Sequence, residues 1–206
     1  MSEAAGAQVR DLARAFRDQV KRALALDLDG SVESLAFVDH YLRTVRESGG
    51  DELHGVVAAG AGAYLGDLIA REVGATWLGD GKDPRTLRLL LRPLFLYLAP
   101  VDVALDVLGD GQSPVDDLDA GFHGNPRLAG DEAAKEGEDA LPDHEWLSER
   151  LAEIPPLPED QYYSLTARYE TLLLLLQLLA TRHLALGRTP SEQGLMDYAT
   201  VLVHDA

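Results

Sequence analysis

Residues 25–35, "ALDLDGSVESL", decide how the first helix joins the rest of the fold. An apolar lead-in is followed by Asp-x-Asp-Gly-Ser and then by a helix-like run. Gly30 permits a turn here, and the carboxylate of Asp29 bonds to nearby backbone groups. The hydroxyl of Ser31 caps a second helix, and Glu33 in its first turn complements the helix dipole. These residue types therefore predict a turn and a helix cap, which need no catalytic role.

The periodicity on either side supports this interpretation. Apolar residues recur at helical spacing from about Glu3 to Leu24, so that only Ala25 and Leu26 remain for a strand before Asp27. A second helix starts after the turn and ends at the glycines of "ESGG" (47–50). The same analysis predicts further helices over 51–77, 101–108, 144–154 and about 159–186, and a last one with Thr189 as its cap and Pro190 at its first position.

Residues 77–100 show a different pattern. "TWLGDGKDP" (76–84) predicts a short strand and a turn, and "TLRLLLRPLFLYLAP" (86–100) carries alternation and aromatic residues. Pro93 interrupts the second stretch, so any strand there is at an edge or broken. In the preceding helix, small residues four apart predict the close approach of another backbone to one face; they are Ala58, Gly62 and Gly66.

Composition and charge exclude several classes of partner. The chain has 206 residues and is 46% hydrophobic, which fits one sizeable core in a soluble globular protein. Its formal net charge is −17 and we find no basic patch, so we expect neither nucleic acid nor a membrane as a partner. The longest apolar stretch, 172–180, is shorter than the roughly 18 residues of a spanning helix, and the start lacks the pattern of a signal peptide. We expect a bacterial protein of the cytoplasm.

The motifs that usually reveal catalysis are absent from the sequence. There is no cysteine, which excludes disulfides, thiolate zinc sites and cysteine nucleophiles. Neither a G-x-x-x-x-G-K-[ST] loop nor a G-x-S-x-G elbow occurs. No H-E-x-x-H spacing connects the six histidines, which stand at positions 40, 54, 123, 144, 183 and 204. These observations predict no catalytic residue, no metal and no cofactor.

A long acidic stretch divides the chain. Residues 109–145 hold eleven Asp or Glu against Arg127 and Lys135, and they are rich in Gly and Pro without periodicity. This composition predicts a flexible acidic loop or linker, with an acidic docking segment as the alternative. We therefore expect an α+β core over 1–108 and C-terminal helices over 146–206 that belong to the same globule.

Two acidic motifs and a lysine resemble the haloacid dehalogenase-like phosphatases. "ALDLDGS" (25–31) resembles the nucleophile segment of that family, and "GKDPRTLRLLL" (81–91) resembles its lysine segment. The resemblance implies that Asp27 attacks a phosphoryl group, that Asp29 acts as general acid and base, and that Lys82 holds the phosphate.

"LGDGQSPVDD" (108–117) resembles the acidic metal-binding motif of the same family. The resemblance implies that Mg²⁺ binds Asp27, Asp110 and Asp116. Three features depart from the family pattern. The strand before Asp27 is missing, no Ser- or Thr-ended strand is predicted between 30 and 82, and Asp116 stands one place too far from Asp110. A Mg²⁺-dependent phosphatase is therefore the alternative function.

A second resemblance covers about the first half of the chain. "SVESLAFVDHYL" (31–42), "GAYLGDLIAREVGATW" (62–77) and "LAPVDVALDVLGDG" (98–111) resemble a group of uncharacterised bacterial proteins. In that group a Ser-Leu-x-x-x-Asp helix precedes a Gly-Ala-Tyr-Leu-Gly-Glu segment, a Trp and a small sheet. This chain has Asp67 where the group usually has Glu. The resemblance implies no activity for these positions.

Together these patterns predict an α+β, mostly helical fold. N-terminal helices pack on a small, largely antiparallel sheet, and C-terminal helices pack back on the core, because a leucine-rich helix with five consecutive leucines at 172–176 cannot stay exposed. For function the sequence favours a non-enzymatic interaction or regulatory protein that binds another protein. The leucine-rich helix could also support a homo-oligomer.

Overall fold

The computed structural model describes residues 3–48, 50–111, 118–123, 142–155, 157–188 and 192–202. The fold is α+β and mostly helical, as the sequence predicts. The helices are α1 (Glu3–Leu24), α2 (Leu35–Ser48), α3 (Asp51–Ile69), α4 (Pro100–Gly109), α5 (Asp143–Ala152), α6 (Glu159–Tyr162), α7 (Leu165–Ala185) and α8 (Leu195–Leu202). The strands are β1 (Ala75–Leu78), β2 (Arg88–Leu91), β3 (Tyr97–Leu98) and β4 (Phe122–His123), which form one antiparallel sheet in that order. A π-helical turn, Ala70–Gly74, links α3 to β1.

The turn after α1 forms as the sequence predicts. Ala25 takes a left-handed backbone conformation that ends α1, and Gly30 has a φ of +83°. The Asp29 carboxylate accepts a hydrogen bond from the Ser31 N–H at 2.8 Å, and the Ser31 hydroxyl accepts one from the Ser34 N–H at 3.3 Å. Hydrogen bonding by the Ser31 side chain, together with the bond from the Ser31 N–H, lowers the pKa of Asp29. No strand forms over 25–29, so the chain enters α2 from a capped turn.

Helix α3 lies at the centre of the core, between α1 and α4. A Cβ on Gly62 would come within 2.5 Å of the Pro100 carbonyl oxygen and 2.7 Å of the Val101 Cα, both backbone atoms of α4. A Cβ on Gly66 would meet the Trp77 ring at 2.3 Å. The predicted close approach of a second backbone to this face of α3 is therefore confirmed.

The C-terminal helices join the same core as the N-terminal ones. Buried apolar side chains of α5 and α7 belong to one hydrophobic cluster with α1, α2 and α3; they are Leu147, Leu165, Tyr169, Leu172, Leu175 and Leu179. The prediction that the C-terminal helices pack back on the core is confirmed.

A buried ion cluster fastens α5 to α7. The Asp143 carboxylate, 7% exposed, lies 2.7 Å from His183 Nε2 and 2.9 Å from Arg182 Nε. Arg188 Nη1 lies 3.7 Å from the same carboxylate, and the Arg182 guanidinium stands 5.0 Å from the centre of the Trp146 ring. One carboxylate thus interacts with two arginines and one histidine where the two helices meet.

Helix α8 covers the other face of the sheet through Tyr198. Its ring stacks on Phe95 with the centroids 4.7 Å apart. Its hydroxyl accepts a hydrogen bond from the Leu96 N–H at 2.9 Å and lies within 2.9 Å of the carbonyl oxygens of Leu91, Leu94 and Leu96. Burial raises the pKa of the Tyr198 phenol, so the group keeps its proton for these acceptors. Pro93 lies in this turn, and it breaks the strand as predicted.

Three predicted helix boundaries are wrong. The 51–77 helix ends before residue 75, where β1 begins. The long helix predicted from 159 is broken at Ser164, which has an extended backbone. The Ser164 hydroxyl accepts a hydrogen bond from the Ala167 N–H at 3.1 Å, so that α7 begins as a separate helix. Helix α8 begins only at Leu195, where Asp197 accepts from the Gly194 N–H at 2.6 Å. Thr189 and Pro190, the predicted cap and first residue of the last helix, lie outside the described residues.

The leucine-rich run of α7 is buried along one side only. Leu172, Leu175 and Leu179 are at most 5% exposed, whereas Leu173 is 40% and Leu184 is 80% exposed. The prediction that this helix cannot stay exposed is confirmed for the side of α7 that faces the core, where the helix packs with one face buried.

Two described parts of the stretch 109–145, which is predicted as an acidic loop or linker, belong to regular elements. Phe122 and His123 form β4, and Asp143 begins α5 with its side chain buried. Composition could not show this, because these residues are placed by pairing with β3 and by the ion cluster on α7. The remainder of the stretch, residues 112–117 and 124–141, lies outside the described residues.

In the part of the chain that the structure describes, one segment, Leu53–Gly74, is long and apolar enough to cross a membrane. Within the fold, 67% of its most apolar window is buried, as in the core helix of a soluble protein.

A carboxylate on α2 caps α7. Asp39, 8% exposed, accepts hydrogen bonds from the Leu165 N–H at 2.7 Å and the Thr166 N–H at 3.2 Å, and one from the Thr166 hydroxyl. These are backbone donors of the first turn of α7, which no helical carbonyl can reach. Burial raises the pKa of Asp39 above its usual 3.8, against the opposing effect of these bonds.

This raised pKa predicts a pH dependence of stability. The folded state binds the Asp39 proton more tightly than the unfolded chain, so the stabilisation is complete below the unfolded pKa and is lost as pH rises through the folded pKa. The stability of wild type relative to Asp39→Asn should therefore fall as pH rises above about 4, the usual pKa of the unfolded carboxyl. Urea unfolding of both proteins across this range measures the difference. Asp11→Asn, at an exposed position, is the control, and a wild-type advantage that grows with pH would contradict the prediction.

Candidate functional site

A cleft of about 670 Å³ opens on the face of the sheet that α8 only partly covers. This volume is within the range of about 300–1,000 Å³ that is usual for small-molecule sites. Apolar walls come from Leu78, Tyr97 and Leu202. The polar lining groups are the side chains of Asp83, Arg85, Thr86, Arg88, Asp119 and His123.

The strand register places these residues on one face. Leu90 pairs with Tyr97, and Tyr97 pairs with His123. Arg88 stands two residues before Leu90, so it points to the same side of the sheet. The alternate residues, such as Leu89, face the helices and are buried there. The sheet thus separates the hydrophobic core from the cleft.

A tight turn before β2 forms one rim of the cleft. The Asp80 carboxylate accepts hydrogen bonds from the Lys82 N–H at 2.8 Å and the Asp83 N–H at 3.0 Å, and it binds the Thr86 hydroxyl at 2.9 Å. The bonds from Lys82 and Thr86 lower the pKa of Asp80. Asp83 in turn accepts from the Arg85 N–H at 2.9 Å. The turn is therefore rigid at the point where it positions Arg85.

Beneath the cleft, Asp102 connects two of its walls. This residue of α4 is 2% exposed, although α4 is otherwise almost entirely apolar. Its carboxylate accepts from Arg85 Nε at 2.9 Å and from the Asp119 N–H at 3.2 Å. A buried carboxylate needs such partners, since an unpaired charge in the core is costly. Asp102 therefore fixes Arg85 and the 118–123 segment relative to each other.

Arg88 and the pair Asp119–His123 supply the remaining charges. Arg88 Nη1 donates to the carbonyl oxygens of Arg85 at 2.7 Å and Leu87 at 3.2 Å, which hold its guanidinium in place. Its Nη2 lies 4.0 Å from the nearer Asp119 oxygen, too far for a hydrogen bond. The other Asp119 oxygen contacts His123 Nε2, and the His123 ring lies 5.2 Å from that of Tyr97.

Chemically, this arrangement suits recognition better than covalent catalysis. The Thr86 hydroxyl is already bonded to Asp80 and to the Asp83 carbonyl, so it is not poised as a nucleophile. His123 and Asp119 contact each other, an arrangement that also occurs where a histidine has only a structural role. What the cleft offers is a fixed guanidinium beside apolar walls.

The residues of the phosphatase resemblance lie apart from this cleft or have other partners. Asp27, 76% exposed, pairs with Lys21 at 2.7 Å, and this contact raises the pKa of Lys21. Asp110, at the end of α4, pairs with Arg46 at 2.7 Å. The backbone of Lys82 belongs to the turn at the rim of the cleft.

No described contact joins these residues into one site. Asp29 caps its own turn, and Asp116 lies outside the described residues. The described sheet is antiparallel, whereas the family pattern needs a parallel strand that ends at the nucleophile. Among the described residues, no group of three or more acidic or histidine side chains is placed to hold a metal ion.

The residues of the second resemblance form structural joints. The Ser34 hydroxyl lies 2.5 Å from the Tyr64 hydroxyl, which also accepts from the Gly30 N–H at 2.9 Å. Arg71 donates to the Gly30 carbonyl. The Ser-Leu-x-x-x-Asp helix and the Gly-Ala-Tyr-Leu-Gly-Asp segment thus meet at Gly30, in the turn between α1 and α2. The last Asp of the helix motif is Asp39, the cap of α7.

Comparison of the chain with protein-family models, with curated protein sequences and with solved structures finds no match. The candidate site is therefore defined by its geometry alone.

Sequence reasoning did not find the cleft. Arg85 and Arg88 lie inside 81–91, where the phosphatase resemblance points to Lys82, and Asp119 and His123 lie inside the predicted linker. One signal in the sequence is Arg88, which stands two residues before Leu90 in an apolar strand. Because side chains alternate along a strand, it predicts a charged group on the same face of the sheet as Leu90.

Proposed function

We propose that this protein is a non-enzymatic interaction or regulatory protein of the bacterial cytoplasm, and that its partner is a protein with a basic surface. The charge balance carries the proposal. Acidic residues number 35 and basic residues 18, so 17 carboxylates have no basic counterpart in the chain.

Ion pairs within the fold leave this surplus unchanged, because each one neutralises a basic and an acidic residue together. Arg46, Arg168 and Arg182 each lie within 2.9 Å of an aspartate oxygen. A surface left with mainly acidic charge attracts basic partners and speeds their association, and it repels nucleic acid.

Affinity capture from the native host at increasing salt tests this proposal. Binding that decreases as salt rises is expected, because exposed charges are screened beyond about 10 Å at 0.1 M salt. A protein that is recovered alone at every salt concentration would contradict it.

Two charge-neutralised variants show where the partner binds. The first replaces the five acidic residues of the 131–139 stretch by their amides: Asp131, Glu132, Glu136, Glu138 and Asp139. The control replaces five exposed acidic residues before residue 50: Glu3, Asp11, Asp18, Glu33 and Glu47. We expect the first variant to capture less partner than the control variant, because it neutralises the proposed acidic docking segment. Undiminished capture by both variants would contradict a charge-based interaction.

A phosphatase assay separates this function from the enzymatic alternative. We expect no hydrolysis of a generic phosphate ester in the presence of Mg²⁺ that depends on Asp27. Turnover by the wild type that Asp27→Asn abolishes would replace the interaction proposal with the phosphatase.

A further inference from the structure

We propose that the cleft on the outer face of the sheet binds a small organic acid, which carries one carboxylate on an apolar body. This site is independent of the protein interaction proposed above. The proposal rests on the contacts that Arg88 makes and on the side chains that form the walls around it.

Arg88 is fixed, and among the described residues no carboxylate lies closer to its guanidinium than the Asp119 oxygen at 4.0 Å. Two main-chain carbonyls hold Nη1, and the closest Asp119 oxygen stays 4.0 Å from Nη2. By comparison, Arg168 has its aspartate at 2.6 Å. Because the guanidinium is immobilised before a ligand arrives, little side-chain entropy is lost when it donates to a carboxylate.

The Asp119 carboxylate could move closer to Arg88 only by breaking other contacts. One of its oxygens contacts His123, and its N–H donates to the buried Asp102 at 3.2 Å. Nη2 of Arg88 can therefore donate to an incoming carboxylate while these contacts remain.

The walls determine the rest of the ligand. Leu78, Tyr97 and Leu202 line the cleft, and an apolar body gains free energy by displacing water from them. The acidic groups at the rim, Asp83 and Asp119, and the net charge of −17 disfavour a phosphate dianion more than a singly charged carboxylate.

Benzoate is the probe for this proposal, and isothermal titration calorimetry with the full chain measures its binding. Benzamide tests the need for the carboxylate, and phenyl phosphate tests the preference for a single charge. We expect benzoate to bind at least tenfold more tightly than either. Absence of benzoate binding at millimolar concentration, or equal binding of benzamide, would overturn the proposal. Tighter binding of phenyl phosphate would overturn the assignment of the ligand class.

Two variants locate the site. Arg88→Gln should weaken benzoate binding at least tenfold, whereas Arg14→Gln, which removes an exposed arginine paired with Asp11, should leave it unchanged. Leu202→Ala should weaken benzoate binding severalfold through the apolar wall, which keeps the test valid if Arg88→Gln does not fold. Benzoate affinity that neither Arg88→Gln nor Leu202→Ala changes would place the ligand elsewhere and overturn the proposal.

Discussion

Replacement of Asp143 by alanine is expected to lower the free energy of unfolding by about 3–5 kcal/mol. The carboxylate is 7% exposed and lies 2.7 Å from His183 and 2.9 Å from Arg182, with Arg188 at 3.7 Å. Without it, two guanidinium groups that are at most 15% exposed would have lost their shared counter-ion. Breaking a buried pair on one side is more costly than replacing the whole cluster.

Urea unfolding followed by circular dichroism measures this loss. Asp11→Ala is the matched control, since Asp11 also pairs with an arginine, at 2.6 Å, but is 69% exposed. Exposed pairs contribute about 0–1 kcal/mol, so the control should change little. Equal effects of the two substitutions would show that the buried cluster between α5 and α7 stabilises the protein no more than an exposed ion pair does.

Two glycine-to-alanine substitutions in the same helix are expected to have opposite effects. Gly62→Ala should destabilise the protein by about 1–3 kcal/mol, because the new Cβ would meet backbone atoms of Pro100 and Val101 at 2.5–2.7 Å. Backbone atoms cannot rotate away as the end of a side chain can. Gly55→Ala, with nothing within 4 Å of its Cβ, should instead stabilise the helix by about 0.5–1 kcal/mol.

The pair provides its own control, since both substitutions add one methyl group to α3. Equilibrium urea unfolding of the two variants, analysed with a common slope, gives the difference in free energy. Stabilisation by Gly62→Ala would contradict the close packing of α3 on α4.

Local interactions made several elements predictable. Gly30, Asp29 and Ser31 form the turn after α1 through bonds that span at most three residues. The break at Pro93 also follows from a property of the residue itself, because its missing N–H cannot join a strand ladder. Such features depend on neighbours in sequence, so that a pattern can indicate them.

Two of the errors involve partners that are distant in sequence. The 51–77 helix loses its last residues to β1, because Ala75–Leu78 pair with Arg88–Leu91. The helix from 159 is interrupted at Ser164, where the capping carboxylate comes from Asp39, 126 residues away from Leu165 in sequence. Helical periodicity contains no information about either partner.

The sequence by itself determined the α+β class, the first helix and its capped end, the small-residue face of α3 and the excess of 17 negative charges. Only the tertiary structure decided which side of α7 stays exposed, where Asp143 is neutralised, and that Arg88, Tyr97, Asp119 and His123 share a cleft. The physical reason is that periodicity, turn chemistry and net charge act over a few residues or over the whole chain. A cleft instead depends on strand register and on contacts between segments far apart in sequence.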